Sequence, residues 1–377
     1  MRTVTWGSKE YEVQEDPTPH IVIDALTHSS LTIPGRWGLK DGNPPKACTM
    51  DVLHLAPYKG CTVDCSYCSL PRFRGYNVLK YQQGISVVFD NYDRWVDQQL
   101  QTARIVHTFD FGADADVFMA VNDRYHMTEK TMYVLNKFGV PFTVTSKCRY
   151  PDEAIIHLAV NKNSWAQISV AKIGSDAERA AVQDNVTRLK AAKVKVTVRI
   201  QPYILGYSNP LAELIPLVKD IEFDNVVFGF LRAPMSLGRK QFVAYQAGNP
   251  FNLSEMYNIT APGYWQLDTK ISREVLDQLR ILCKDNGLKL GLCDVYERSG
   301  DTFRSLQSEY GTCASCECVN GYAWVRLPDK DKFTIVHGCP GNCLNCRPDP
   351  PCGVPEFSAS VVTDLKGYQK LWLRSQK

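Results

Sequence analysis

Three cysteines, Cys61, Cys65 and Cys68, stand in the run Tyr58-Lys-Gly-Cys-Thr-Val-Asp-Cys-Ser-Tyr-Cys68, directly after the apolar stretch Val52 to Ala56. Soft thiolates this close together on a short loop can hold three irons of a [4Fe–4S] cube and leave the fourth iron open to an outside ligand. A structural zinc asks for two CxxC pairs, and a ferredoxin loop supplies a fourth cysteine nearby. After Cys68 no further cysteine follows before Cys148. The competing readings of the loop are a zinc site and a chance grouping of buried thiols.

The CxxxCxxC spacing, with aromatic Tyr67 just before the last cysteine, resembles the cluster loop of the radical S-adenosylmethionine (SAM) enzymes. In that family SAM chelates the open iron, and one electron from the cluster cleaves it to a 5′-deoxyadenosyl radical. The resemblance implies two cofactors, the [4Fe–4S] cluster and SAM, and a reducing partner such as flavodoxin or ferredoxin. It makes Cys61, Cys65 and Cys68 the catalytic metal ligands, with the protein supplying position for a reaction that the cofactor carries.

The rest of the 377-residue chain is 44% hydrophobic and 22% charged, the profile of a folded protein with a large core. A net charge of +3 is too weak to argue by itself for nucleic acid. No apolar run approaches the roughly 18 residues that span a bilayer. The start, Met-Arg-Thr-Val-Thr-Trp, lacks the apolar core of a signal peptide, so the expectation is a cytoplasmic protein with no membrane partner. In that compartment fourteen cysteines point to metal rather than to disulfides.

Beyond the cluster loop, short β-branched or aromatic runs alternate with amphipathic stretches, the pattern of βα units and a parallel sheet. Strands are predicted over 51–55, 105–111, 141–145, 165–170, 195–201, 225–230 and 289–292. Helices are predicted over 92–102, 128–138, 152–159, 177–190, 211–219 and 272–285. The helix over 177–190 follows the N-cap candidate Ser175-Asp176 and places Ala181, Val182, Val186 and Leu189 on one face. The expected fold is α/β, a partial (βα)6 barrel with the cluster loop at the C-terminal ends of the strands, where parallel α/β folds keep their sites. Residues 1–47 form a Pro-rich N-terminal wrap, 48–295 the barrel with an insertion or lid over 236–267, and 296–377 a Cys-rich extension.

The stretch from Thr108 to Tyr203 is more specific, and resembles the spore photoproduct lyase branch of the radical SAM enzymes. It carries Thr-Phe-Asp-Phe-Gly-Ala-Asp-Ala-Asp116, Val144-Thr-Ser-Lys147, Gln167-Ile-Ser-Val170 and Val198-Arg-Ile-Gln-Pro-Tyr203 in that order. The resemblance implies that the loop holding Asp110, Gly112, Asp114 and Asp116 contacts the SAM amino group. It implies that Lys147 meets the SAM carboxylate, a charge-assisted contact, and that Ser169 bonds the ribose. A solvated strand-end lysine and a barrel serine are the plain alternatives. One departure stands out: the lyase keeps a hydrogen-donating cysteine where this chain has Ala113. Cys148 is either a relocated donor or a buried structural thiol.

Seven further cysteines, Cys313, Cys316, Cys318, Cys339, Cys343, Cys346 and Cys352, crowd the C-terminal extension among prolines and glycines. They are expected to bind one or two auxiliary Fe–S clusters, with Zn as the alternative. The insertion interleaves Arg239, Lys240, Tyr245 and Tyr257, cations and aromatic faces of the kind that hold nucleic acid; a surface cover packing on its own aromatics is the plain reading. The favoured function is modification or rearrangement of a nucleobase, with DNA as the favoured partner and a hypermodified thymine as one substrate. The alternatives are a peptide-maturing radical SAM enzyme and a non-catalytic electron carrier.

Overall fold

The computed structural model describes residues 2–28, 35–36, 52–68, 76–103, 105–106, 108–112, 115–235, 242, 245–246, 248–261, 264–293, 295–299, 302–310, 324–326 and 330–336. The chain divides into two compact units. One comprises Met1–Arg36, Asp51–Ser164 and Gly321–Lys377, the other Trp37–Met50 and Trp165–Asn320.

The first unit is built on three parallel strands, β1 (Val52–Leu55), β2 (Phe109–Phe111) and β3 (Phe142–Ser146). Leu53, His54 and Leu55 stand opposite Phe109, Asp110 and Phe111, and these in turn face Phe142, Thr143 and Val144. Alternation then sorts the side chains. Leu55, Phe109, Phe111, Phe142 and Val144 point to one face and are fully buried. His54, Asp110 and Thr143 point to the other.

Helices α1 (Tyr92–Thr102), α2 (Met127–Phe138) and α3 (Asp152–Val160) belong to this unit, with α2 packed against both others. Gly139 ends α2 in the left-handed conformation, and bonds from Gly139 N–H to Asn136 O and Val140 N–H to Leu135 O close its last turn. The described part of the N-terminal segment is ordered: Thr3–Trp6 and Lys9–Glu12 form a hairpin, and His20–Asp24 runs parallel to Ser86–Asp90.

The second unit holds β4 (Trp165–Ser169), β5 (Lys195–Tyr203), β6 (Asn225–Phe230) and β7 (Lys289–Leu292), parallel and side by side in chain order. Its helices are α4 (Asp176–Ala191), α5 (Leu211–Asp220) and α6 (Thr269–Asp285). Ser175 caps α4 by accepting from Glu178 N–H at 3.2 Å. Of the predicted α4 face, Val186 and Leu189 are buried while Ala181 is exposed and Val182 half-buried, so only the C-terminal half of the helix packs. Helix α6 starts three residues earlier than its apolar stripe predicts, because Asp268 accepts from the N–H groups of Lys270 and Ile271. Ser272, Leu276, Leu279 and Cys283 then line its buried face.

Six of the predicted strands and all six predicted helices are present; the strand predicted over 105–111 is instead two, Ile105–Val106, antiparallel to Trp324–Val325, and Phe109–Phe111 in the parallel sheet. The parallel strands make this an α/β fold. No helix among the described residues is long and apolar enough to cross a membrane.

Candidate functional site

The approach to the cysteine loop is fixed from two sides. Strand Tyr58–Lys59 pairs with Ser86–Asp90, and Ser86 Oγ donates to Gly60 O at 2.6 Å. Gly60 has φ +77°, and a Cβ there would sit 2.7 Å from Lys80 Cβ, so glycine is required immediately before Cys61. Behind it, the buried Tyr58 hydroxyl donates to Asn122 Oδ1 at 2.8 Å and accepts from Met127 N–H at 3.0 Å. Asn122 Nδ2 in turn donates to both oxygens of Glu129, at 2.9 and 3.0 Å. The carboxyl of Glu129 is fully buried, and burial raises its pKa above the ordinary value.

Cys61, Cys65 and Cys68 are half-buried and form no disulfide with one another, and Cys68 N–H donates to Cys65 O at 2.9 Å. Burial pushes the Cys61 thiol up to about 11, opposed by N–H donors from Asp116 and Val63 and reinforced by the Asp116 carboxylate and Cys68. A metal bound there has to displace that proton.

Asp116 joins three segments that the strands deliver to one edge. Its N–H donates to Cys61 Sγ at 3.3 Å. Its carboxylate accepts from Ser146 Oγ at 2.7 Å, Lys147 N–H at 2.7 Å and Phe118 N–H at 3.1 Å. Gly112, at the start of the same loop, has φ +101°, and a Cβ would lie 2.2 Å from Thr145 O. The loop after β2 therefore lies directly against the end of β3. There Lys147 Nζ stands over the Tyr67 ring, 5.1 Å from its centroid, with Tyr67 next to Cys68 in sequence. Cys148 N–H donates to Ser146 Oγ at 2.9 Å, and burial followed by the Asp116 carboxylate pushes its thiol up.

The donor set fits an iron–sulfur cube. Three thiols lie on one loop, partly withdrawn from water, with a main-chain N–H on one sulfur of the kind that stabilises and tunes such clusters. Among the described residues no three His, Cys, Asp or Glu side chains converge as ligands of a single metal ion. Thiolates on a cube each take a different iron, so they need no common point.

The structure thus brings Tyr67, Gly112, Asp116 and Lys147 together with the loop of Cys61, Cys65 and Cys68. Asp116 spends its carboxylate on the frame of the site. Asp110 pairs with His54, Oδ2 to Nδ1 at 3.0 Å, and His54 is a residue that an apolar strand signal conceals. Ser169 lies half-buried at the C-terminal end of β4 in the second unit, in register with Arg199. Arg199 donates to Gln167 Oε1 at 3.1 Å and Cys293 Sγ at 3.3 Å, and also to Gln201 Oε1.

Of the proposed insertion contacts, Tyr245 is 5% and Tyr257 0% exposed. Tyr245 packs edge-on to Tyr207, and Tyr257 lies against Phe242 with centroids 4.8 Å apart, so both rings serve as core. Asp114, Arg239, Lys240 and the seven C-terminal cysteines lie outside the described residues.

No protein-family model matches the chain. It is similar to the curated protein named radical SAM Nalpha-GlyT isomerase of Pseudomonas phage M6, at 24% identity over 375 residues, covering 88% of this chain and 74% of that protein. Together with a cysteine loop braced through Asp116 to Gly112 and Lys147, this similarity supports a radical SAM enzyme.

Proposed function

We propose that the chain is a radical SAM isomerase that rearranges a modified thymine base in DNA, one that carries a glycyl group. The isomerase class is the one printed in the name of the phage relative; the glycyl-bearing thymine and the DNA are our reading of GlyT in that name. The observation that carries the cofactor side is the Asp116 bridge, which ties the Cys61 loop to the main chain of Lys147. When bound, the cluster and SAM supply a 5′-deoxyadenosyl radical. Cys61, Cys65 and Cys68 would hold the cluster, and a one-electron donor such as flavodoxin or ferredoxin would reduce it.

The Lys147 ammonium, with Tyr67 under it, offers a cation to the SAM carboxylate. Gly112 allows close approach of the loop backbone, since its face has no side chain. Asp116 keeps these groups in mutual register. Ser169 is assigned to the ribose, and the two sets of parallel strands to one partial barrel. The Cys-rich extension is assigned to auxiliary Fe–S clusters, and Arg239 and Lys240 to phosphates of the nucleic acid.

An isomerase returns every atom that it takes, so product and substrate have equal mass. The test is anaerobically reconstituted protein with SAM, a reductant and duplex or single-stranded DNA containing one glycyl-thymine. The expected result is a new nucleoside of unchanged mass that forms only with SAM. Phosphate contacts also predict DNA affinity that falls as salt rises. SAM cleavage with no altered nucleoside, together with salt-insensitive or absent DNA binding, would count against this substrate class.

A further inference from the structure

Between β6 and α6 the chain returns on itself before it enters the helix. Ala233–Pro234 pairs antiparallel with Tyr264–Gln266, which pairs in turn with Ile259–Ala261. The pairing sets the Tyr264 ring against the guanidinium of Arg232, with Arg232 Cζ 4.3 Å from the ring centroid. It also carries Gln266 back to the C-terminal end of β6. There a recess opens between Phe230, Arg232, Gln266, Ser272, Val295 and Tyr296, with room for about one water-sized group.

Gln266 is 5% exposed, and its Nε2 is buried with no hydrogen-bond partner among the described residues. A buried amide left without an acceptor is costly, so its presence marks a place where an acceptor belongs. Ser272 stands in the first turn of α6, where a helix leaves partial positive charge. The Asp268 carboxylate at that end is already taken, accepting from Lys270 N–H at 2.9 Å, Ile271 N–H at 3.4 Å and Asn258 Nδ2 at 3.1 Å. No acidic residue is among the described residues that line the recess. Its polar wall is an amide, two hydroxyls and a guanidinium, a set that supplies donors and one positive charge.

We infer that this recess binds the carboxylate of the substrate's glycyl group. The inference rests on the proposed function: a glycine joined to thymine through its nitrogen, as Nalpha in the relative's name reads, keeps a free carboxylate. Arg232 supplies the charge, and Gln266 Nε2 donates to the one oxygen that the recess admits. The base itself does not fit there and stays outside, on the strand edge where β6 ends at Phe230 and β4 at Ser169. A carboxylate separates this substrate from unmodified thymine, so Arg232 and Gln266 set specificity: a site built to pair a group rejects the analogue that lacks it.

The test measures binding of the full reconstituted protein to duplexes that differ at one base, a thymine bearing the N-linked glycyl group or one bearing a methylamino group, which lacks the carboxylate. Their phosphates are identical, so a phosphate site produces no preference. Wild type should bind the glycyl duplex about tenfold more tightly. Arg232→Met should abolish that preference and Gln266→Met should cut it about threefold, each with a thermal midpoint within a few degrees of wild type. Equal binding of both duplexes by wild type, or a full preference in either folded variant, overturns the inference.

If wild-type protein leaves the glycyl-thymine unchanged, the function reading has failed, and the recess is judged with acetate. A wild-type midpoint higher in sodium acetate than in sodium chloride at equal concentration, with no such gain in Gln266→Met, supports a carboxylate site. No gain, or a gain that Gln266→Met shares, shows a recess that holds water and overturns the inference.

Discussion

The main-chain N–H of Asp116 points at Cys61 Sγ from 3.3 Å, while the carboxylate of the same residue holds Ser146 Oγ and the N–H of Lys147, each at 2.7 Å. One residue thus couples the Cys61 loop to the end of β3. A displaced Asp116 would loosen both the thiolate and the lysine.

Asp116→Ala removes the three acceptor bonds and frees the N–H that bonds Cys61. Iron and sulfide per chain after reconstitution should fall by half or more, and the reduction potential of the remaining cluster should shift, since hydrogen bonds to sulfur tune it. Metal analysis and a potentiometric titration check both. Wild-type loading at an unchanged potential would contradict the bridge.

Gly112→Ala places a methyl group 2.2 Å from Thr145 O at φ +101°. The backbone of β3 cannot yield as a flexible side chain would, so the loop must move. The expected outcome is a loss of stability of about 2 kcal/mol or more and weaker SAM binding. Urea unfolding and calorimetry with SAM would measure these.

Much of the scaffold was legible because strand and helix periods differ and both are strong here. The start of α4 was legible from Ser175 as its cap, whereas Asp268 was not read as the cap of α6 and its start was placed three residues late. His54 was not legible, since a single histidine within Val-Leu-His-Leu reads as part of an apolar strand. Only the register with Asp110 exposes the pair. Nor does composition say which way a ring points. Tyr245 and Tyr257 read as a stacking surface by their basic neighbours, yet both rings are buried, Tyr257 against Phe242 and Tyr245 against Tyr207. The role of Asp116 as a brace depends on Cys61 and Ser146, distant in sequence and joined only by the parallel order of β1, β2 and β3.

Lys147→Met keeps an apolar stem and removes the charge over Tyr67. SAM affinity should drop about tenfold, or about 1.4 kcal/mol, with cluster loading retained. Tyr67→Phe keeps the ring face and should bind SAM as wild type does. Equal affinity in Lys147→Met would remove Lys147 from the SAM carboxylate.

Glu129→Gln tests the support beneath Tyr58. Burial raises the carboxyl pKa above its ordinary value near 4.5, so the folded protein holds that proton more tightly than the unfolded chain. The associated stability is present below pH 4.5 and is lost as pH rises through the raised value. The amide lacks this loss. The variant should be more stable by about 1 kcal/mol at pH 7 and show no gain near pH 4, as thermal melts at the two pH values would record.

The most direct measurement is 5′-deoxyadenosine formation by anaerobically reconstituted protein given SAM and dithionite, set beside the variant with Cys61, Cys65 and Cys68 all replaced by alanine. Wild type should cleave SAM reductively. The triple variant, which has lost every protein ligand proposed for that cube, should produce none while keeping any metal bound by the C-terminal cysteines. Undiminished 5′-deoxyadenosine from the triple variant would contradict the assignment of the SAM-cleaving cluster to this loop.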